Sequence, residues 1–149
     1  MTTQILSFNQ GARVLIVDDE PLVLDVLDSA LLTSGLEVTT ASDTQSALYH
    51  LERTTFDAII SDVHLDHLDA FDLLFLARRR SPDIIPIFIT GAPALEDAEK
   101  AKSMGALYLS KPIGISNLVN TLLNALEARE VETVELNDYD NDRMRAVAH

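Results

Sequence analysis

The chain has no cysteine, only 11 basic residues against 24 acidic ones, and five glycines and five prolines among 149 residues. Without cysteine there is no disulfide, no thiolate metal site and no cysteine nucleophile. The net charge of −13 disfavours direct binding to nucleic acids and to anionic membranes, because both need basic patches. No stretch approaches the roughly 18 consecutive apolar residues that span a bilayer. We therefore expect a soluble, cytoplasmic protein with no direct nucleic-acid or membrane partner.

The order of apolar patterns predicts the fold class. Five strand-like runs alternate with helical patterns, and they fall at 13–17, 36–40, 57–61, 84–89 and 106–110. Such alternation predicts right-handed crossovers and a parallel sheet with helices on both faces, which is a doubly wound α/β domain. We expect an N-terminal extension at 1–10, this domain at 11–130, and an acidic, flexible tail or truncated linker at 131–149.

Local signals mark several helix ends. Pro21 suits the first position of a helix, and Gly35 suits the turn that ends it. Ser42 and Gln45 have the spacing of a capping box, which predicts the start of the second helix. These signals place helices between the predicted strands.

Reactive side chains follow four of the five predicted strands. They are Asp18 and Asp19, Asp62, Thr90 and Lys111. Because ligands of open parallel sheets bind outside the carboxyl ends of the strands, we expect this set to share one edge. Clustered carboxylates repel one another and need a counterion, and oxygen ligands favour Mg²⁺ or Mn²⁺ over zinc. The set predicts a site for a divalent cation and a phosphoryl group.

Each of these residues also has an ordinary structural explanation. An Asp after a strand is commonly a turn or helix-cap residue, and most lysines are simply solvated. His64 and His67, in a loop with Asp66 and Asp69, offer a further alternative, a transition-metal site. The joint placement of the set at strand ends favours the cation and phosphoryl site.

The chain resembles the receiver domain of two-component response regulators over about residues 11–130. The resemblance rests on four segments in the family's order, namely Val14 to Pro21, Asp57 to Asp62, Thr90, and Gly105 to Pro112. It implies a flavodoxin-like (βα)5 fold with strand order 2-1-3-4-5. It also implies a phosphorylation-controlled signalling module of a phosphorelay, which is not an enzyme beyond its own phosphotransfer and dephosphorylation.

The resemblance assigns roles in phosphotransfer. Asp62 would accept the phosphoryl group from a phosphohistidine of a histidine kinase or a histidine phosphotransfer protein. Asp19, Asp62 and the backbone carbonyl of His64 would bind Mg²⁺ directly, and Asp18 would bind it mainly through water. Lys111 would pair with a phosphoryl oxygen.

The resemblance also assigns the surroundings of the phosphoryl group. The Thr90 hydroxyl and the backbone N–H groups of Val63 and Gly91 would bind phosphoryl oxygens. Thr90 and Tyr108 would form the switch, in which Thr90 moves towards the phosphate and the tyrosine ring turns inward. Pro112 would follow a cis peptide bond and shape the site.

Three positions in the loop after Asp62 add detail. Asp66 stands where the family commonly has Pro, and Ala70 stands where it commonly has Gly. Asp66 would place another acid near the pocket, and Ala70 would remove a flexible hinge. His64 would flank the path of the hydrolytic water and is a candidate modulator of phosphoryl lifetime.

Two other functions remain open on the sequence. A haloacid-dehalogenase-like phosphatase also uses a strand-end Asp, Mg²⁺, Thr and Lys, but its nucleophile lies on the first strand in a D-x-D pattern that Asp18-Asp19-Glu20 fits only loosely. A phosphorylation-independent interaction domain would not need the complete set of reactive residues. No G-x-G-x-x-G or Walker A pattern follows the first strand, which disfavours dinucleotide binding.

The sequence leaves the downstream protein target unknown. In receivers the fourth helix, fifth strand and fifth helix often form a signalling or dimer face. Ala98, Ala101, Leu107 and Leu118 lie near that face, so a homodimer through it is an expectation.

Overall fold

The structure is a computed structural model and describes residues 11–129, so the predicted extension and acidic tail lie outside the described residues. Its strands are β1 (Arg13–Val17), β2 (Glu37–Ala41), β3 (Ala58–Asp62), β4 (Ile85–Thr90) and β5 (Leu107–Ser110). They form one parallel sheet in the order β2-β1-β3-β4-β5. The predicted fold class and strand order are confirmed. Within the described part of the chain, no helix has the length and apolar character to cross a membrane.

Helices follow the strands in sequence. They are α1 (Pro21–Thr33), α2 (Thr44–Arg53), α3 (Ala70–Ala77), α4 (Leu95–Ser103) and α5, which is described over 115–129. Pro21 opens α1 as predicted, and Gly35, at φ 86°, lies in the turn after it. The predicted Ser42–Gln45 capping box is wrong. Asp43 caps α2 instead, because its carboxylate accepts the Ser46 N–H at the third helical position.

The sheet separates two apolar layers. Leu15 and Phe88 point towards α2, α3 and α4, whereas Ile16 and Ile87 point towards α1 and α5. Phe88 packs edge-to-face on Phe71 of α3, with ring centroids 5.2 Å apart. Because the inner strands are buried on both faces, their sequences are continuous apolar runs rather than alternating ones.

Strand register aligns the ends of the strands that carry the reactive residues. Val17, the last residue of β1, pairs with Ser61 of β3, and Thr90, the last residue of β4, pairs with Ser110 of β5. The side chains that follow these residues therefore meet at one edge of the sheet. The Lys111 N–H also donates to the Thr90 carbonyl at 2.7 Å, which fixes the start of the loop after β5.

Candidate functional site

Lys111 lies at the centre of the site at the carboxyl edge of the sheet. Its ammonium Nζ is 3.1 Å from Asp18 Oδ2, 3.2 Å from Glu20 Oε1 and 3.3 Å from Asp62 Oδ2. These residues are far apart in sequence, so the contacts depend on the sheet topology. The structure thus brings together the predicted lysine and two of the predicted acids.

Asp18 is the buried acid of the site. Asp18 is 2% exposed, and its Oδ1 accepts the Glu20 N–H at 2.9 Å. Burial raises the pKa of Asp18 above its usual value, and the hydrogen bonds from Glu20 and Lys111 only partly oppose it. Burial alone would lower the pKa of Lys111, but its hydrogen bonds to Asp18 and Glu20 outweigh burial and raise that pKa. The lysine therefore stays charged and faces an excess of carboxylates.

Glu20 is a site residue that sequence reasoning missed. The residues predicted for the site do not include Glu20, yet its carboxylate contacts Lys111. Its side chain makes no capping hydrogen bond to α1. The available signal was the run of three acids directly after β1.

The acids of this edge fit a divalent cation. Asp18, Asp19 and Glu20 offer carboxylate oxygens that lie within 4.8 Å of one another. Among the described residues, Glu20 rather than Asp62 joins the acid pair in this group. A set of oxygen donors with net negative charge favours a hard cation such as Mg²⁺. The residues present thus fit the expected metal.

Thr90 and Gly91 border the site where β4 ends. Thr90 is 1% exposed, and its Oγ1 accepts the Ala92 N–H at 3.0 Å, which leaves the hydroxyl proton able to donate. Gly91 lies beside the lysine, since a Cβ atom there would be 3.9 Å from Lys111 Cδ. The Lys111–Pro112 peptide bond is cis, as the resemblance implies.

The Val63 amide differs from the expectation. Its N–H donates to the Ile89 carbonyl at 3.0 Å, because the β3–β4 ladder continues one residue beyond Asp62. This N–H is therefore not available to a phosphoryl oxygen in this structure.

Tyr108 links β5 to the loop before α4. Its hydroxyl accepts the N–H of Ala94, the N-cap residue of α4, at 3.1 Å, and its ring is half-buried. Thr90 and Tyr108 thus contact the same short loop from opposite ends. A movement of Thr90 can therefore be transmitted through this loop to the start of α4.

The loop after Asp62 is anchored by its own acids. Asp66 Oδ1 accepts the Thr44 N–H at 3.0 Å, and this hydrogen bond lowers the pKa of Asp66. Asp69 caps α3 in a capping box with Asp72. Asp66 therefore ties this loop to the start of α2. Ala70, at the Gly position of the family, is the buried first residue of α3.

The two histidines of this loop have separate partners. His64 Nε2 is 3.4 Å from Asp97 Oδ2 of α4, and His67 Nε2 is 3.7 Å from Asp66 Oδ2. They do not join the acids of the loop in a metal-ligating group within residues 11–129. His64 instead connects the loop after Asp62 to α4, so the transition-metal alternative has no support.

The fold and the site define a class of protein. It is an α/β domain in which acids and a lysine at the carboxyl edge of the sheet are suited to bind a phosphoryl group. Comparison with known proteins specifies the class. The family model described as the response regulator receiver domain matches residues 14–123. The probable transcriptional regulatory protein TcrX of Mycobacterium tuberculosis is 32% identical over 127 residues, which are 85% of this chain and 54% of that protein.

Solved structures agree with this result. A CheY-like response regulator receiver domain protein from Methanospirillum hungatei matches with a TM-score of 0.77 and 29% identity, over 83% of this chain and 99% of that one. A Burkholderia pseudomallei response regulator with a phosphorylated aspartic acid, a calcium ion and citrate matches with a TM-score of 0.69 and 27% identity, over 83% and 74% of the two chains.

The chain belongs to the response regulator receiver domain family of two-component systems. Its members are signalling modules that are generally phosphorylated on an aspartate, bind Mg²⁺ through an acidic cluster and act with histidine kinases. The phosphatase and the phosphorylation-independent alternatives are not favoured. The chain spans 54% of the first curated relative and 29% of the next two.

Proposed function

We propose that Asp62 is the phosphoacceptor of this receiver domain, with a phosphohistidine of a histidine kinase or histidine phosphotransfer protein as the donor. The observation that carries the proposal is the contact between Asp62 Oδ2 and Lys111 Nζ at 3.3 Å, at an edge rich in carboxylates. The Asp62 side chain is 15% exposed, so it is partly accessible to a donor.

The transfer uses positioning and charge rather than additional covalent chemistry. A carboxylate oxygen of Asp62 attacks phosphorus in line, and the phosphorus–nitrogen bond of the donor breaks as the phosphorus–oxygen bond forms. The donor nitrogen leaves with the electron pair of that bond. Lys111, the Thr90 hydroxyl and the Gly91 N–H then bind the phosphoryl oxygens.

Mg²⁺, when bound, supplies the positive charge that offsets the repulsion between the acids and the incoming phosphoryl group. Asp19, Asp62 and the His64 carbonyl would hold it, with Asp18 acting mainly through water. Mn²⁺ is an alternative because it takes the same oxygen ligands. The same metal and lysine would serve the protein's own dephosphorylation, so we propose no other enzymatic activity.

The phosphoacceptor is tested by intact-mass analysis after treatment with acetyl phosphate and Mg²⁺. We expect one phosphoryl adduct on the native chain and none on Asp62→Asn. Asp66→Asn is the matched control, because Asp66 lies in the same loop but binds the Thr44 N–H. An adduct on Asp62→Asn, or none on any of the three proteins, would contradict the assignment.

The proposed switch couples Thr90 to Tyr108. A movement of Thr90 towards a phosphoryl oxygen, to which its hydroxyl donates, would release the Ala92 N–H that its Oγ1 accepts in this structure. The Ala94 N–H bound to Tyr108 lies two residues further along the same loop. Release of the hydrogen bond between the Ala94 N–H and the Tyr108 hydroxyl would allow the tyrosine ring to turn inward. This change would shift a pre-existing equilibrium between conformations of the domain.

The face formed by α4, β5 and α5 is the proposed output or homodimer surface. Leu95 and Leu107 are exposed on it, at 76% and 41%. Ala101 and Leu118 cannot contribute as the sequence suggested, because both are fully buried in the core. If the domain dimerises through this face, light scattering should show a higher molar mass when Mg²⁺ and beryllofluoride, a phosphoryl mimic, are added. An unchanged monomer mass would favour a heterologous protein target.

A further inference from the structure

Glu20 contacts the lysine of the site in a way that the proposed phosphotransfer does not use. An ammonium group has three hydrogen-bond donors, and all three of Lys111 face carboxylates. The distances are 3.1 Å to Asp18, 3.2 Å to Glu20 and 3.3 Å to Asp62. A phosphoryl oxygen can therefore bind Lys111 only if one of these contacts is released.

Glu20 is held in place by its backbone. Its N–H donates to Asp18 Oδ1 at 2.9 Å, and its carbonyl accepts two N–H groups from the first turn of α1. The following Pro21 also restricts Glu20 to extended backbone angles, and its φ is −91° and its ψ is 111°. The backbone of Glu20 is therefore fixed in a position from which its carboxylate reaches Lys111.

The three acids differ in how easily they can give up the lysine. Asp18 is buried at 2% exposure, so losing its cation leaves an uncompensated charge away from water. Asp62 is the group that carries the phosphoryl. The Glu20 side chain is 61% exposed, so water can replace the lysine there at little cost. Of the two carboxylates that do not carry the phosphoryl group, Glu20 is thus the one that releases Lys111 more easily.

We propose that Glu20 is a positioning residue that occupies Lys111 in the unphosphorylated state and competes with the phosphoryl group for it. The inference rests on the proposed role of Asp62 and Lys111. Glu20 weakens the binding of a phosphoryl group without touching it, so it shifts the balance of the receiver towards the unphosphorylated form.

The test is titration with beryllofluoride at saturating Mg²⁺, so that changes in metal affinity do not contribute. We expect Glu20→Gln to bind beryllofluoride about two- to fivefold more tightly than the native chain, the range for one partly exposed ion pair. Glu52→Gln is the matched control, because Glu52 is also exposed and lies at the end of α2, away from the site. Equal or weaker binding by Glu20→Gln would overturn the inference.

A second variant separates the contact from the general effect of charge. Glu20→Asp keeps the charge but withdraws the carboxylate from Lys111 by one methylene group. We expect it to behave like Glu20→Gln, and native-like binding by Glu20→Asp would overturn the contact mechanism. Failure of the native chain to bind beryllofluoride with Mg²⁺ would instead reject the proposed function.

Discussion

Neutralising Asp18 should stabilise the protein in the absence of metal, although it removes an ion pair. The carboxylate oxygens of Asp19 and Glu20 lie within 4.8 Å of Asp18, and Lys111 lies 3.1 Å from it. At an effective dielectric constant of about 40, each acid repels Asp18 by about 2 kcal/mol, and the lysine attracts it by about 3 kcal/mol. Repulsion therefore exceeds attraction by about 1 kcal/mol, and the burial of Asp18 acts in the same direction.

The assay is chemical unfolding of Asp18→Asn and the native chain in EDTA at neutral pH. We expect the free energy of unfolding to be about 1 kcal/mol higher for Asp18→Asn. Addition of Mg²⁺ at one hundred times its Kd should stabilise the native chain by about 2.7 kcal/mol and the variant by much less. Asp25→Asn, at an exposed position on α1, controls for the lost charge.

The difference in unfolding free energy between Asp18→Asn and the native chain should depend on pH, and the pKa of Asp18 sets the direction of this dependence. Burial raises the pKa of Asp18 in the folded state, so the folded protein takes up a proton before the unfolded chain does. The higher unfolding free energy of Asp18→Asn should thus be fully present above the folded-state pKa of Asp18. It should disappear below the ordinary pKa of this group, 3.8. A less stable Asp18→Asn in EDTA, or an equal gain from Mg²⁺ in both proteins, would refute the reasoning.

Three further predictions concern the site and the core. Lys111→Met should bind Mg²⁺ about tenfold more tightly by calorimetry, because a competing cation is removed; unchanged or weaker binding would contradict this. Thr90→Val should still be phosphorylated by acetyl phosphate, but NMR should show no response of the Tyr108 ring to beryllofluoride; a native-like response would exclude the switch. Phe88→Ala should lose about 3–5 kcal/mol of unfolding free energy, whereas Phe75→Ala, exposed at 68%, should lose less than about 0.5 kcal/mol. Similar losses in the two phenylalanine variants would contradict the burial argument.

The sequence predicts the strands and the reactive edge for one physical reason. Inner strands of a parallel sheet are buried on both faces, so a run such as Val14 to Val17 is visible as a continuous apolar segment. The polar residue that ends such a run must lie at the edge of the sheet. The convergence of Asp18, Asp62 and Lys111 also requires the parallel direction of the strands and their order in the sheet.

Other features depend on contacts that the sequence pattern does not contain. Glu20 and Lys111 are 91 positions apart, and their contact depends on the loop angles after β1 and β5. The bond from the Val63 N–H to Ile89 requires the ladder to continue beyond the last residue of β3. The burial of Ala101 likewise depends on how α4 packs on the sheet.

The most direct measurement is the identity of the residue that carries phosphate. Reduction with borohydride converts an aspartyl phosphate to homoserine, and peptide mass analysis then locates it in the sequence. After acetyl phosphate treatment, we predict homoserine at position 62 only, and only when Mg²⁺ is present. Modification at another acid, or at position 62 to the same extent in EDTA, would contradict the account.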